Sequence, residues 1–321
     1  MARTLNITNG DCAINVMRQA NIPGEYLAWS DVLHEGPVTQ GLSLSELSKV
    51  RMDFIAGKGW APREQVEKTF VERDNTLMSY AQYGEVILWF EHDLYDQLQL
   101  LQILDWFNHQ SPLNTELSLI CVDEYLGPMV PEELAALMRY KTPISQSQLA
   151  LATEAWNAFC SDTPEPWYAL LQADTSSLPF LHGAVLRLLG EYPSTFNGLS
   201  RTANTALSII NSGHQKPYDI FSEYQESEER RFLGDIVFWG ILKNLSESNP
   251  PAISREGKNA RIYPPSENLN IHITSTGKEL LKGQKKWSEI GKIDQFLGGV
   301  HLTSEKLWCW DRNSKEIQRI K

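Results

Sequence analysis

Along the first third of the chain, short apolar runs alternate with longer stretches in which apolar positions recur every three or four residues. Thr4–Thr8 is β-rich and stops at Asn9-Gly10-Asp11, after which Ala13, Val16, Met17 and Ala20 follow at helical spacing. A second strand, Glu25–Trp29, closes at Ser30-Asp31. Over 42–60, Leu44, Leu47, Val50, Phe54 and Ile55 share one helical face, with Ser43 or Ser45 placed to cap it, and another helix covers 63–80. Glu85–Phe90 is a continuous apolar run of the kind buried on both faces of a parallel sheet. Leu94, Leu98, Leu101, Leu104 and Phe107 then predict an amphipathic helix over 93–109, and Leu117–Val122 is a further buried strand. This alternation predicts an α/β fold whose domain 1–130 is a Rossmann-like, right-handed parallel sheet.

From Pro128 the pattern changes, and 131–321 reads as a mainly helical domain. Helical stretches over 134–159, 178–190, 199–211 and 228–245 are broken by the loop Thr163-Pro164-Glu165-Pro166. After Pro250-Pro251, short strands near 252–254 and 270–274 flank a basic loop and lead into a helix over 278–282. Three helices, a two-stranded wing and a closing helix predict a winged-helix-like part.

Composition narrows the class. With 42% hydrophobic and 21% charged residues the chain is too apolar for disorder. Its apolar runs fall far short of the roughly 20 residues that span a bilayer, and its start lacks the basic end and apolar core of a signal peptide. Cys12, Cys121, Cys160 and Cys309 form no CxxC pair, so reduced thiols and a cytoplasmic location are expected. The net charge of −11 is uneven, since 251–321 holds 13 basic against 8 acidic residues. An acidic body repels nucleic acid, while a basic tail attracts it.

In an open parallel sheet, ligands bind beyond the carboxyl ends of the strands. The first strand is followed by Asn9, Gly10 and Asp11, the second by Asp31, His34 and Glu35. The third is followed by Glu91, His92, Asp93 and Asp96, the fourth by Asp123 and Glu124. Each end delivers a carboxylate and two deliver a histidine. Single acids such as Asp11 and Asp93 suit helix caps. Their recurrence suits a divalent cation, a polar ligand or arginine partners, because crowded like charges raise one another's pKa. Glu91 and Asp93 are the expected metal ligands, and His34, His92 and Asp31 the expected catalytic groups. Asn9, Gly10, Asp11 and Glu35 would contact ligand, while Arg51 and Arg73 would pair with Glu91 or Asp93 or clamp an anion. No GxGxxG, Walker lysine or GxSxG is present. In the second half, Arg201 near a helix start and Arg255, Lys258 and Arg261 in the basic loop are the residues a nucleic-acid reader would use.

The strings Ile7-Thr8-Asn9-Gly10-Asp11, Asp31-Val32-Leu33-His34-Glu35-Gly36-Pro37 and Trp89-Phe90-Glu91-His92-Asp93-Leu94-Tyr95-Asp96-Gln97 resemble a bacterial family whose N-terminal domain is the uncharacterised domain of unknown function number eighteen thirty-five. Asn197-Gly198-Leu199-Ser200-Arg201-Thr202 and Gly298-Gly299-Val300-His301-Leu302 resemble its C-terminal part, so the likeness covers nearly the whole chain. It implies no activity. Where that family often has an acid after Arg201-Thr202, this chain has Ala203.

Two functions are therefore expected to compete. One is a metal-assisted enzyme acting on a small polar, phosphorylated or nucleotide-like ligand. The other is a ligand-sensing regulator or adaptor that binds DNA or protein through its C-terminal part, with nucleic acid the less favoured partner.

Overall fold

The computed structural model describes residues 3–110, 114–257 and 260–320. The chain forms two compact units, Met1–Val185 with Gly298–Val300, and Leu186–Leu297 with His301–Lys321.

The first unit begins β1 (Thr4–Thr8), α1 (Asp11–Gln19), β2 (Glu25–Ala28), a short β3 (Gly36–Pro37), α2 (Leu44–Gly57) and α3 (Arg63–Met78). It continues with β4 (Glu85–Phe90), α4 (Leu94–Asn108), β5 (Glu116–Cys121), α5 (Pro131–Ala136), β6 (Thr142–Pro143), α6 (Gln146–Cys160), α7 (Glu165–Ala169) and the start of α8 (Leu181–Leu189). The main sheet has the order β2-β1-β4-β5-β6, parallel throughout except for the antiparallel edge strand β6. In β4 the run Val86–Phe90 is wholly buried, as expected where helices cover both faces. On one face, Ala13, Val16 and Met17 of α1 and Leu134 of α5 pack with Ile87, Trp89 and Ile120.

Helix α4 differs from the amphipathic element expected. It is buried nearly all round, because α6 packs along it. Its polar residues are accommodated by hydrogen bonds: Gln97 Nε2 to Glu91 O (2.7 Å), Gln99 Nε2 to Asp31 O (3.2 Å), and Gln102 Oε1 from Trp29 Nε1 (2.8 Å). Helix α2 starts at Ser43 in a capping box with Glu46. Asp11 caps nothing, since it is the exposed first residue of α1 and Gly10 occupies the cap position.

The segment Gly298–Val300 belongs to the first unit through backbone contact. Gly298 O accepts from Val38 N and Gly299 N donates to Phe159 O, both at 2.9 Å. A Cβ at Gly299 would sit 2.0 Å from Cys160 O, and Gly298 adopts φ +61, so this approach needs the glycine pair.

The second unit holds the end of α8, α9 (Arg201–Asn211), α10 (Pro217–Ser227), α11 (Asp235–Glu247), β7 (Ile253–Glu256), β8 (Asn270–Ile273) and α12 (Ser275–Leu281). Strands β9 (Asp294–Gly298), β10 (Val300–Thr303), β11 (Leu307–Asp311) and β12 (Glu316–Ile320) follow. Strands β7 and β8 pair antiparallel, as do β11 and β12. One helix was expected over 228–245; instead α10 ends at Ser227 and α11 starts at Asp235. Pro217 opens α10 with a preset φ, and the break at Glu228 lets that carboxylate turn toward Arg187. No helix among the described residues is long and apolar enough to cross a membrane.

Candidate functional site

The chain adds β2 to one side of β1 and β4 to the other, so the strand order reverses between β1 and β4. The crevice beyond their carboxyl ends is where an open α/β sheet takes its ligand. Asn9, just after β1, donates from Nδ2 to Glu91 Oε1 (2.9 Å) and to Asp96 Oδ2 (2.8 Å). Its carbonyl accepts from Ser30 N (3.2 Å), beyond β2, and from the Tyr95 hydroxyl (3.4 Å). Ser30 makes that contact at φ +47, a left-handed conformation few side chains adopt. Leu126 N, beyond β5, donates to Glu91 Oε1 at 2.8 Å. Four strand ends thus converge on one cluster.

Three carboxylates form its centre. Each of Glu91, Asp93 and Asp96 offers an oxygen within 4.8 Å of the other two, and all three residues are buried. Asp93 caps α4, its Oδ1 accepting from Tyr95 N (2.8 Å) and Asp96 N (3.3 Å). Asp96 Oδ1 accepts from Glu91 N at 2.7 Å. These bonds leave Glu91 Oε2 and Asp93 Oδ2 without a hydrogen bond to another described residue. Burial pushes the Asp93 carboxyl up to about 7, and the neighbouring Glu91 charge adds to the rise. Burial likewise raises Glu91, against the pull of the Leu126 amide and Asn9. Asp96 stands well above the usual carboxylate range through burial and the charges of Asp93 and Glu91.

Neither arginine expected in the crevice pairs with this cluster. Arg51 is fully buried and binds the Asp31 carboxylate through Nη2 (2.9 Å) and Nε (3.0 Å). Arg73 pairs with Asp74 (2.8 Å), donates to Ser48 Oγ (2.8 Å) and lies between the Trp29 and Phe70 rings. Helices α2 and α3 turn these cations inward onto the segment after β2. Among the described residues, no lysine or arginine forms an ion pair with Glu91, Asp93 or Asp96.

Asp31 is fully buried beside Arg51. His34 is buried with its ring 6.0 Å from that of Tyr95, the residue whose hydroxyl reaches Asn9. His92 is buried against Tyr125 (5.1 Å) and Phe180 (6.0 Å). The Glu35 carbonyl accepts from Arg51 at 2.7 Å, and Gly10 takes the cap position of α1 beside Asn9. Asp123 and Glu124 are exposed.

Asp96 follows β4 in the sequence, but the sequence alone does not assign it as a ligand. The signal was present as Asp93-x-x-Asp96, because positions three apart at a helix start lie on one side of the first turn.

In the second unit, Arg201 pairs with the buried Glu228 at 3.4 Å. Arg255 and Arg261 are exposed, and Lys258 lies outside the described residues. No family model matches this chain, and no curated protein matches it.

Proposed function

We propose that the first unit is the catalytic part of a metal-assisted enzyme, which takes a small polar, phosphorylated or nucleotide-like ligand in the crevice between β1 and β4. The observation that carries this reading is the buried trio Glu91, Asp93 and Asp96, with oxygens within 4.8 Å of one another and no arginine or lysine paired with it among the described residues. Like charges this close cannot all stay ionised unless a cation or protons offset them. An all-oxygen donor set suits magnesium or manganese. Glu91 Oε2 and Asp93 Oδ2 would hold the ion, while Asn9 orients Glu91 and Asp96. A bound ion there would polarise a phosphoryl or carbonyl oxygen or activate water. His92 and His34, beside the cluster's own segments, are the groups proposed to move protons.

Thermal unfolding of the full chain against manganese and magnesium tests this. At a hundred times Kd, a ligand specific for the folded state adds about 2.7 kcal/mol. A rise of several degrees is therefore expected, and Asp93→Asn should abolish most of it. Without metal, the raised carboxyls hold protons in the folded state that the unfolded chain has already lost. Stability should therefore fall as pH climbs from about 4 toward 7, where Asp93 titrates. The metal-induced rise should be larger at pH 7.5 than at pH 5.5, since protons compete for the same oxygens. No shift with either ion at millimolar concentration would remove the metal from the proposal.

The second reading, a regulator with a winged-helix-like C-terminal part, draws on one feature. Helices α9 to α11 are followed by the antiparallel β7–β8 pair, on which Arg255 is exposed. Against the DNA version, Arg201 is held by Glu228 rather than free to read a groove. That version predicts a salt-dependent shift of duplex DNA by the full chain, weakened by Arg255→Ala. Absence of a shift at low salt sinks it.

A further inference from the structure

A cavity of about 340 Å³ lies within the second unit. One wall is α9, where Asn204, Ser208 and Asn211 fall on a single face. The loop at 194–197, Leu281 of α12 and the start of the turn that joins β11 to β12 line the rest. Backbone bonds fix the loop and that turn together, from Thr195 N to Trp310 O (3.2 Å) and from Trp310 N to Pro193 O (2.8 Å).

The polar groups of this cavity are not balanced between donors and acceptors. Asp311 is the carboxylate among the lining residues, and its oxygens already accept from Thr195 Oγ1 (2.8 Å), Asn313 N (2.8 Å) and Ser314 N (3.0 Å). Asn204 Oδ1 accepts from Asn197 Nδ2 (2.8 Å), which leaves the Asn204 amide nitrogen as a donor. The side-chain amides of Asn211 and Asn313 make no hydrogen bond among the described residues. Arg312 is exposed there and forms neither a hydrogen bond nor an ion pair with a described residue.

Charge points the same way. The cavity walls desolvate part of the otherwise exposed Arg312 and draw its pKa down; Glu191 and Glu228 oppose this, while Arg201 and Arg187 add to it. The second unit as a whole carries 19 basic against 16 acidic residues, in a chain whose net charge is −11.

We propose that this cavity binds a small phosphate monoester, with the Arg312 guanidinium forked onto two phosphate oxygens. A planar guanidinium matches that geometry, and neutral amide donors complete it without demanding a second cation. Asn204 and Asn211 supply those donors. Phe196, a lining residue 55% exposed, offers an apolar flank to the carbon part of the ester. The volume lies at the small end of the range of roughly 300–1,000 Å³ usual for ligand pockets, which suits a ligand of a few carbons rather than a polymer. This site does not depend on the carboxylate centre of the first unit.

Isothermal titration of the full chain with glycerol 3-phosphate, against glycerol as the uncharged control and without added metal, tests it. Saturable binding is expected for the phosphate ester alone. Arg312→Gln should weaken it at least tenfold while leaving the unfolding temperature unchanged, because Arg312 holds no other residue. Arg312→Lys should keep part of the affinity, and Asp93→Asn should bind as the unaltered chain does. Heat no different from that of glycerol, or equal affinity in Arg312→Gln, overturns the proposal. Loss of binding in Asp93→Asn with Arg312→Gln intact also overturns it, by moving the phosphate to the first unit.

Discussion

Arg51→Met is expected to destabilise the first unit by about 3–5 kcal/mol, the usual cost of leaving one member of a buried ion pair uncompensated. Arg51 and Asp31 have fully buried side chains, 2.9 Å apart. Asp31 has a second cation, Arg73, only at 3.9 Å, and that one is committed to Asp74 at 2.8 Å. Arg51 also donates to the carbonyls of Val32 (2.7 Å), Glu35 (2.7 Å) and Pro37 (3.3 Å). One guanidinium therefore satisfies the carboxylate and three backbone acceptors of the segment that follows β2. Urea unfolding of the full chain, read as the transition of this unit, measures the loss. Adding Asp31→Leu should recover part of it by removing the orphaned charge, but not all, because the Val32, Glu35 and Pro37 carbonyls lose their Arg51 donor, although Val32 O keeps the Glu35 amide at 3.0 Å. If Arg51→Met unfolds within about 1 kcal/mol of the unaltered chain, the segment is held by something else.

Arg187→Met should cost the second unit a similar amount, about 3–5 kcal/mol by the same argument. Arg187 binds Glu228 through two parallel bonds, Nε to Oε2 (2.9 Å) and Nη2 to Oε1 (2.6 Å), and reaches Glu191 through Nη1 (2.5 Å). It also donates to Thr202 Oγ1 (2.8 Å) and lies over the Phe232 ring. Three helices meet there, since Arg187 comes from α8, Thr202 from α9 and Glu228 follows directly on α10. Arg201 still reaches Glu228 at 3.4 Å, but its position leaves Glu191 without a cation within pairing distance among the described residues.

The pH dependence follows from Glu191. Burial alone would raise its pKa, but Arg187 and the Thr202 hydroxyl outweigh that, and the net shift is downward. A carboxyl lowered in the folded state contributes stability above its unfolded value, near 4.3, and loses it as pH falls through the lower folded value. The variant removes the cause of the shift. Without Arg187, burial raises the Glu191 carboxyl instead, so the deficit against the unaltered chain should be largest at neutral pH and shrink as the pH falls through that raised value and on through the lowered value of the unaltered chain. A deficit that stays constant from pH 7 to pH 3 would mean that packing over Phe232, not charge, accounts for the role of Arg187.

Much of the frame was legible in local pattern. The bounds of β1 and β4 follow from where apolar residues begin and where Asn9 and Glu91 end the run. Ser43 and Asp93 act as caps because a short polar side chain before a helix finds its own amides within three residues. The carboxylate cluster was visible in outline too, because ligands gather at strand ends whatever the sheet order.

The chain's own order of residues thus determined which segments are strands and helices, where several of them begin, and which loops carry acids. Partners were decided only in three dimensions. Arg51 lies 20 positions from Asp31 and Arg187 lies 41 from Glu228, and the same charges written along a line are compatible with many pairings. Burial of α4 on its outer side came from α6, which no periodicity within α4 reveals. Asn9, 87 positions from Asp96, closes against both Glu91 and Asp96, a contact that no spacing within the Glu91–Asp96 segment reveals. Hydrophobic period and capping act over a few residues, whereas charge pairing and enclosure depend on which distant surfaces the fold brings together.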